Sequence, residues 1–388
     1  MKSAGAGAGA TAMVVGMDHS QLSEVVPTML AASGVPGFEH SVPELPEAPR
    51  ACVLLIDGLG WELLHEHADC APVLHELCRR PLRVGYPATT AAGLAAIGTG
   101  AASGVHGMAG YSFEVPGTGV VNALRWCRHP GGADLSEELR AEDVQPLATT
   151  FERAAAAGVA TSVVSAARFD GSPLTRAVLR GGRYVGVHAL GDLAMRVTEA
   201  LRPERAFVYG YHSELDMLGH LYGPGSVAWR MQLRQVDRLV ESVVEGLPPG
   251  AVLAVVADHG MVRIGETVDV DATPALREGM RALGGEVRAR HVYAEPGAAD
   301  DLLAAWREIL GERAWVVSRE QAVAYGWFGP HVGDRVRPRI GDVVAAARDR
   351  YGIVSATAEP AETSLTGHHG SFTAAEQLVP LAVADTVG

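Results

Sequence analysis

Unbroken apolar runs that stop at an acid or a histidine punctuate this chain. Residues 51–56 carry no charged side chain and end at Asp57-Gly58. A run of that length closed by a turn residue predicts a strand buried on both faces, as in a parallel sheet. Residues 251–257 repeat the pattern and stop at Asp258-His259-Gly260. Further strands are predicted over 82–86, closed by Pro87, over 160–165 and 206–211, and last over 378–383. Between them apolar positions fall at helical spacing, over 61–67, 71–78, 90–100, 149–157, 190–201 and, longest, 226–247. Strands alternating with helices predict an α/β fold with a doubly wound, mostly parallel sheet. Ligands of such sheets collect beyond the carboxyl ends of the strands, where Asp57 and Asp258 fall.

From residue 262 the texture changes. A strand over 287–294, a helix over 298–310 and a strand over 315–318 are predicted, with a loop at 327–330 and a stretch at 340–350 that fits strand or helix. Residues 262–360 thus include a small elaboration within a catalytic domain of 21–388, and the Gly/Pro-rich 116–146 predicts a loop or cap. Residues 1–20 are expected to be a disordered tail, since the Ala/Gly-rich start lacks the strongly apolar core of a signal peptide. No run of 18 apolar residues occurs, so no membrane-spanning helix is expected and the cytoplasm is the default location.

The formal charge of -13 argues against a nucleic acid polymer or an anionic membrane as partner, because no basic surplus exists to neutralise phosphates. A small phosphorylated substrate stays open, since divalent ions in a cleft would set the local potential. The four cysteines, Cys52, Cys70, Cys78 and Cys127, form no CxxC pair and read as reduced structural thiols.

Chemistry-bearing residues gather in five short segments: Asp57, the Thr89-Thr90 pair, Asp216 with His220, Asp258-His259, and His368-His369-Gly370. Asp and His are the usual ligands of zinc-like ions. Three acids, three imidazoles and a threonine suffice for two adjacent metal sites and a nucleophile, which makes a two-metal hydrolase the leading reading. Asp216 and His220 share a helix face if 215–221 is helical, although Gly219 and Gly223 leave a turn equally open. Gly260 would let adjacent Asp258 and His259 aim at one ion. His369 is preferred over His368, which reads as an outer or surface residue. A threonine pair at a helix start is usually only an N-cap, and each segment alone has such a bland explanation; their coincidence carries the reading. The glycines of 93–100 lack the Lys-Ser/Thr of a phosphate-binding loop and read as helix packing.

The order Asp57, Pro87-Ala88-Thr89-Thr90, Asp216-x-x-x-His220, Asp258-His259-Gly260, His369-Gly370 resembles the alkaline phosphatase superfamily, and within it the type I phosphodiesterase/nucleotide pyrophosphatase family. The resemblance implies two zinc ions. One would be held by Asp57, Asp258 and His259 with the Thr90 oxygen, the other by Asp216, His220 and His369. It implies in-line attack by Thr90, a phospho-threonine intermediate and its hydrolysis by water. Family members place an asparagine on a phosphoryl oxygen where this chain has Tyr111, so Tyr111 is the expected substrate contact. The family's aromatic turn after the nucleophile is replaced by Ala91-Ala92-Gly93, leaving Phe113, Trp126 and Trp327 as stacking candidates.

The expected activity is therefore hydrolysis of phosphodiester or pyrophosphate bonds in a small, nucleotide-like substrate. The alternatives are a phosphomonoesterase or phosphonate hydrolase on the same site, and a non-catalytic ligand-binding member.

Overall fold

The computed structural model describes residues 19–387, so most of the tail expected at 1–20 lies outside the described residues. A seven-stranded sheet forms the centre, in the order Cys78–Arg83, Leu378–Asp385, Ala251–Val256, Arg50–Ile56, Ala206–His212, Ala160–Ala166, Arg183–Val187. Arg50–Ile56 runs parallel to both of its neighbours, and only Leu378–Asp385 is reversed. The two strands that lead into Asp57 and Asp258 are almost wholly buried, as their lack of polar alternation requires. Helices cover both faces; the longest, Val227–Glu245, turns Trp229, Leu233, Val236 and Val240 inward.

The reversal of the last strand matters for the site. Its amino end lies at the carboxyl rim of its neighbours, so the chain just before it, which carries His369, arrives beside Asp57 and Asp258.

A second sheet of four antiparallel strands, Met280–Glu286, Ala289–Ala294, Val343–Ala347 and Ala314–Ser318, packs its own core against the helix Ala299–Leu310. The ambiguous 340–350 stretch contains one of these strands. The strand Met280–Glu286 went unpredicted: its sequence, Met-Arg-Ala-Leu-Gly-Gly-Glu, carries glycines where a strand pattern needs side chains. The 116–146 segment is not all loop, since Gly119–Asn122 pairs with Ser112–Val115 on one side and with Cys127–Arg128 on the other in a three-stranded sheet.

Two other elements differ from expectation. The strand predicted at 82–86 lies at Cys78–Arg83, pairing on the open edge of the sheet, where alternate charged residues are tolerated. The apolar residues after it instead lead into the Pro87–Thr90 turn, with Tyr86 stacked on Phe372 at 4.4 Å. The helix Leu22–Ala32 was also missed, because Pro27 interrupts its interior. Among the described residues no helix is long and apolar enough to cross a membrane.

Candidate metal centre and nucleophile

All the predicted ligands meet at the carboxyl rim of the central sheet. Asp57 follows directly from its strand, and its backbone N–H donates to His212 O at 3.0 Å. Residues 214–222 are helical, so Asp216 and His220 lie one turn apart on one face, with His220 Nε2 3.3 Å from Asp216 Oδ2. Gly219 and Gly223 do not break that helix. Gly219 sits where a Cβ would come within 2.5 Å of Met261 Sδ, and Gly223 caps the helix at φ 89°.

His259 Nε2 stands 3.3 Å from Asp57 Oδ1, 3.8 Å from Asp258 Oδ2 and 3.2 Å from Thr90 Oγ1. Gly260 does not serve as expected. Its φ is not left-handed; glycine is needed because a Cβ would meet the Ala375 carbonyl oxygen at 2.0 Å. Gly93, read as helix packing, has a comparable duty: a Cβ there would strike Asp258 Cβ at 2.4 Å. The helix Thr90–Thr99 can approach the acid only because of it.

The three imidazoles share one orientation. His220 Nδ1 faces Gly367 O at 2.7 Å, His259 Nδ1 faces Gly260 O at 2.9 Å, and His369 Nδ1 faces Ala88 O at 2.9 Å. A carbonyl only accepts, so each Nδ1 carries a proton and each ring turns its Nε2 toward the cluster. Two of these Nε2 atoms, on His220 and His369, lie 3.3 Å apart. Asp57 Oδ1, Asp216 Oδ1 and Asp258 Oδ2 are buried and accept no hydrogen bond. Orphaned buried carboxylate oxygens are costly unless a cation meets them.

The electrostatics agree. Burial, with Asp258 and Asp216 close by, pushes the Asp57 carboxyl well above the usual range. Burial also raises Asp258, against the pull of His259. Burial acts the same way on Asp216, but His220 outweighs it and holds that carboxyl below its usual value. Burial depresses His220, yet Asp216 prevails and lifts it to about 9. Burial and the adjacent His259 push His369 far down, the two rings stacking at 3.5 Å. Two acids, Asp57 and Asp258, held above their range beside imidazoles aimed inward fit divalent cations.

Two ligand groupings lie within ion-binding reach, Asp216–His220–His369 and Asp57–Asp216–His259, so Asp216 borders both. The first is the second set expected from the sequence. The other departs from the expected set of Asp57, Asp258 and His259: Asp216 takes the place of Asp258, whose Oδ2 lies 3.8 Å from His259 Nε2 against 3.3 Å for Asp57 Oδ1.

The two threonines part company. Thr90 opens its helix with the hydroxyl toward His259, whereas Thr89, at the N-cap, makes no capping bond and donates instead to Glu286 Oε2 at 3.2 Å. Tyr111 does not turn to the cluster; its hydroxyl donates to Glu362 Oε1 at 2.9 Å. His368 is no surface residue but buried in a short strand pairing, with Nε2 near Leu365 O. Phe113 and Trp126 are buried in the main hydrophobic core, and Trp327, also buried, lines a cavity with Tyr86, Pro87 and Phe372. Two site residues escaped sequence reading. Tyr211 donates its hydroxyl to Asp57 Oδ2 from the end of a neighbouring strand, a position the strand pattern could have flagged. Glu286 lies in the unpredicted strand, and no local signal marks it.

The type I phosphodiesterase / nucleotide pyrophosphatase family pattern matches residues 51–372. Among solved structures, the chain is similar to murine ectonucleotide pyrophosphatase/phosphodiesterase 5, in an inactive form in complex with AMP. The identity is 16%, the TM-score 0.66, and the match covers 87% of this chain and 88% of that one. It is equally similar in fold to phosphonoacetate hydrolase from Sinorhizobium meliloti 1021 in complex with phosphonoformate, at 19% identity and TM-score 0.66, covering 87% and 91%. A curated relative, phosphopentomutase from Anaeromyxobacter dehalogenans, is 29% identical over 160 residues. The chain spans only 39% of that relative's length. The matched span contains Asp57, Thr90, Asp216, His220, Asp258, His259 and His369, and the chain belongs to the type I phosphodiesterase / nucleotide pyrophosphatase family.

Proposed function

We propose that this protein is a two-zinc hydrolase of phosphodiester or pyrophosphate bonds in a small, nucleotide-like substrate, with Thr90 as nucleophile. The observation that carries the reading is the Thr90 hydroxyl, 3.2 Å from His259 Nε2 at a helix start and beside three unpartnered carboxylate oxygens. Asp57, Asp258 and His259 would hold one ion with Thr90, and Asp216, His220 and His369 the other. Bound there, the ions would lower the pKa of the hydroxyl and offset charge on the attacking and leaving oxygens.

The chain's own residues do the rest. The backbone N–H groups opening the Thr90 helix face an incoming phosphoryl group, adding fixed positive potential. Thr90 Oγ1 gives up its proton to solvent and bonds to phosphorus as the bond to the leaving oxygen breaks in line, and the leaving group takes up a proton from water. A second water then attacks phosphorus, frees Thr90 and releases the phosphate product. Tyr211 and the three backbone carbonyls keep Asp57 and the imidazoles from turning away. A cavity of about 300 Å³ lined by Arg168, Tyr211, Ser213 and Glu214 adjoins the cluster through Tyr211, the partner of Asp57, and would take the non-transferred group. The AMP held by the murine structure supports a small phosphorylated ligand. Free thiols at Cys52, Cys70, Cys78 and Cys127 support a cytoplasmic location.

A second reading, a phosphonate hydrolase or phosphomonoesterase on the same residues, draws on the phosphonoacetate hydrolase fold and on Tyr111 standing where the resemblance implies asparagine. Zinc-loaded protein assayed on p-nitrophenyl phosphate, bis-p-nitrophenyl phosphate and phosphonoacetate separates the two. A diester rate above the others supports the first reading, a monoester or phosphonate preference the second, and no turnover of any overturns both.

A further inference from the structure

The second sheet reaches the site through the tip of the hairpin joining Met280–Glu286 to Ala289–Ala294. Glu286 is the last residue of its strand there. Its Oε2 accepts from Thr89 Oγ1 at 3.2 Å and lies 3.5 Å from His369 Nδ1, while Oε1 is buried without a partner. A Cβ on Gly370 would touch the carboxyl at 3.1 Å, so the packing leaves no slack on that side.

The tip itself is pinned. Arg288, two residues on, makes a bidentate pair with Glu376 at 3.0 and 2.7 Å, and both side chains are fully buried. Glu376 also accepts from Ser371 N at 2.9 Å, in the segment that follows His369-Gly370. Opposite, the nucleophile turn and the last ligand segment hold each other: Ala88 N donates to Gly370 O at 3.0 Å and His369 Nδ1 donates to Ala88 O at 2.9 Å. Glu286 closes the remaining side of this arrangement.

We propose that Glu286 is a positioning residue: from the tip of the second sheet it fixes Thr89 and His369 relative to each other, so that the Thr90 hydroxyl and the His369 imidazole face the same ions. The inference rests on the function proposed above. Thr89 and Thr90 are adjacent, so a shift of the N-cap displaces the nucleophile, and a shift of His369 loosens one metal.

The test compares Glu286→Ala, Glu286→Gln and Thr90→Ala, each loaded with zinc. The readouts are zinc affinity by competition with a chelating dye, and kcat and KM on bis-p-nitrophenyl phosphate. Glu286→Ala should lose about 10- to 100-fold in kcat and in affinity for the weaker zinc. KM should change less than about 3-fold, because the residue touches no substrate. Glu286→Gln keeps the shape and an acceptor for Thr89, and should recover most of both losses. Glu286→Ala with unaltered kcat and zinc affinity would overturn the role. If Glu286→Ala does not fold, Glu286→Gln decides: near-normal kcat supports positioning, and an inactive, folded Gln variant overturns it. Thr90→Ala separates the two levels, since activity surviving there breaks the proposed function itself. An inactive Thr90→Ala beside an unaffected Glu286→Ala breaks only the role given to Glu286.

Discussion

Two clusters of buried charged groups in this molecule are treated in opposite ways. In the second sheet Arg288 meets Glu376 and Arg290 meets Glu359, each through two hydrogen bonds of 3.1 Å or less. His129 adds a third partner to Glu359 at 2.7 Å. At the rim of the central sheet, Asp57, Asp216 and Asp258 crowd together and each leaves one oxygen unmet. Desolvation is costly in both places, and only the first offsets it within the chain. Balanced pairs hold structure; an unbalanced cluster is poised for something the chain does not itself supply, and a cation fits that need.

Substitutions can break this contrast from either side. The largest effect should come from Thr90→Ala. Loss of the nucleophile should lower kcat on bis-p-nitrophenyl phosphate by more than about 10⁴-fold while zinc content stays near normal. Steady-state turnover with elemental analysis of the same sample checks both halves, and full turnover would move the nucleophile, Thr89 being the first alternative.

Next, Asp258→Asn should cost more than about 100-fold in zinc affinity, and activity with it. A chelator should likewise inactivate the wild type, and added zinc should restore it. Unchanged zinc binding in Asp258→Asn would assign that acid to structure, like Glu359.

Glu359→Gln tests the other side. It leaves Arg290 buried without its counter-charge and should cost about 3–5 kcal/mol of stability in urea denaturation, with kcat of the folded protein largely preserved. The pH dependence follows. Burial alone would raise the Glu359 carboxyl, but Arg290 outweighs it and holds the pKa at about 2, below its ordinary 4.5. A depressed carboxyl contributes stability above pH 4.5 and loses it as the pH falls toward 2. Wild-type stability should therefore fall through that window, and Glu359→Gln should flatten the fall.

The smallest effect expected is that of Tyr211→Phe. It removes the hydroxyl that holds Asp57 and should cost about 10-fold in kcat, read from initial rates at saturating zinc. An unaltered rate would mean that the strand alone orients Asp57.

The same contrast explains what the sequence could reveal. Asp57 and Asp258 were legible because each closes an apolar strand run, and the αβ fold places such ends together. Asp216 and His220 were legible by their four-residue spacing once the helix is granted. What stayed hidden depends on contacts across distant segments. Glu286 reaches Thr89 over 197 positions, from a glycine-bearing strand with no clear pattern. Phe113 and Trp126 look like free aromatics in sequence, but their burial is decided by neighbours far along the chain. Tyr111 was placed from resemblance alone, and its bond to Glu362 spans 251 positions. Gly260 suggests a turn by its residue type, whereas the Ala375 carbonyl is what forbids a side chain there.

The central claim is that the unmet carboxylates and inward-facing imidazoles together hold a pair of divalent ions beside Thr90. Anomalous diffraction at the zinc edge, from crystals of chelated and then zinc-soaked protein, tests it most directly. The account predicts two peaks, one among Asp57, Asp258 and His259 next to the Thr90 hydroxyl, the other among Asp216, His220 and His369. Zinc found only at surface histidines or cysteines, with no density in this cluster, would contradict it.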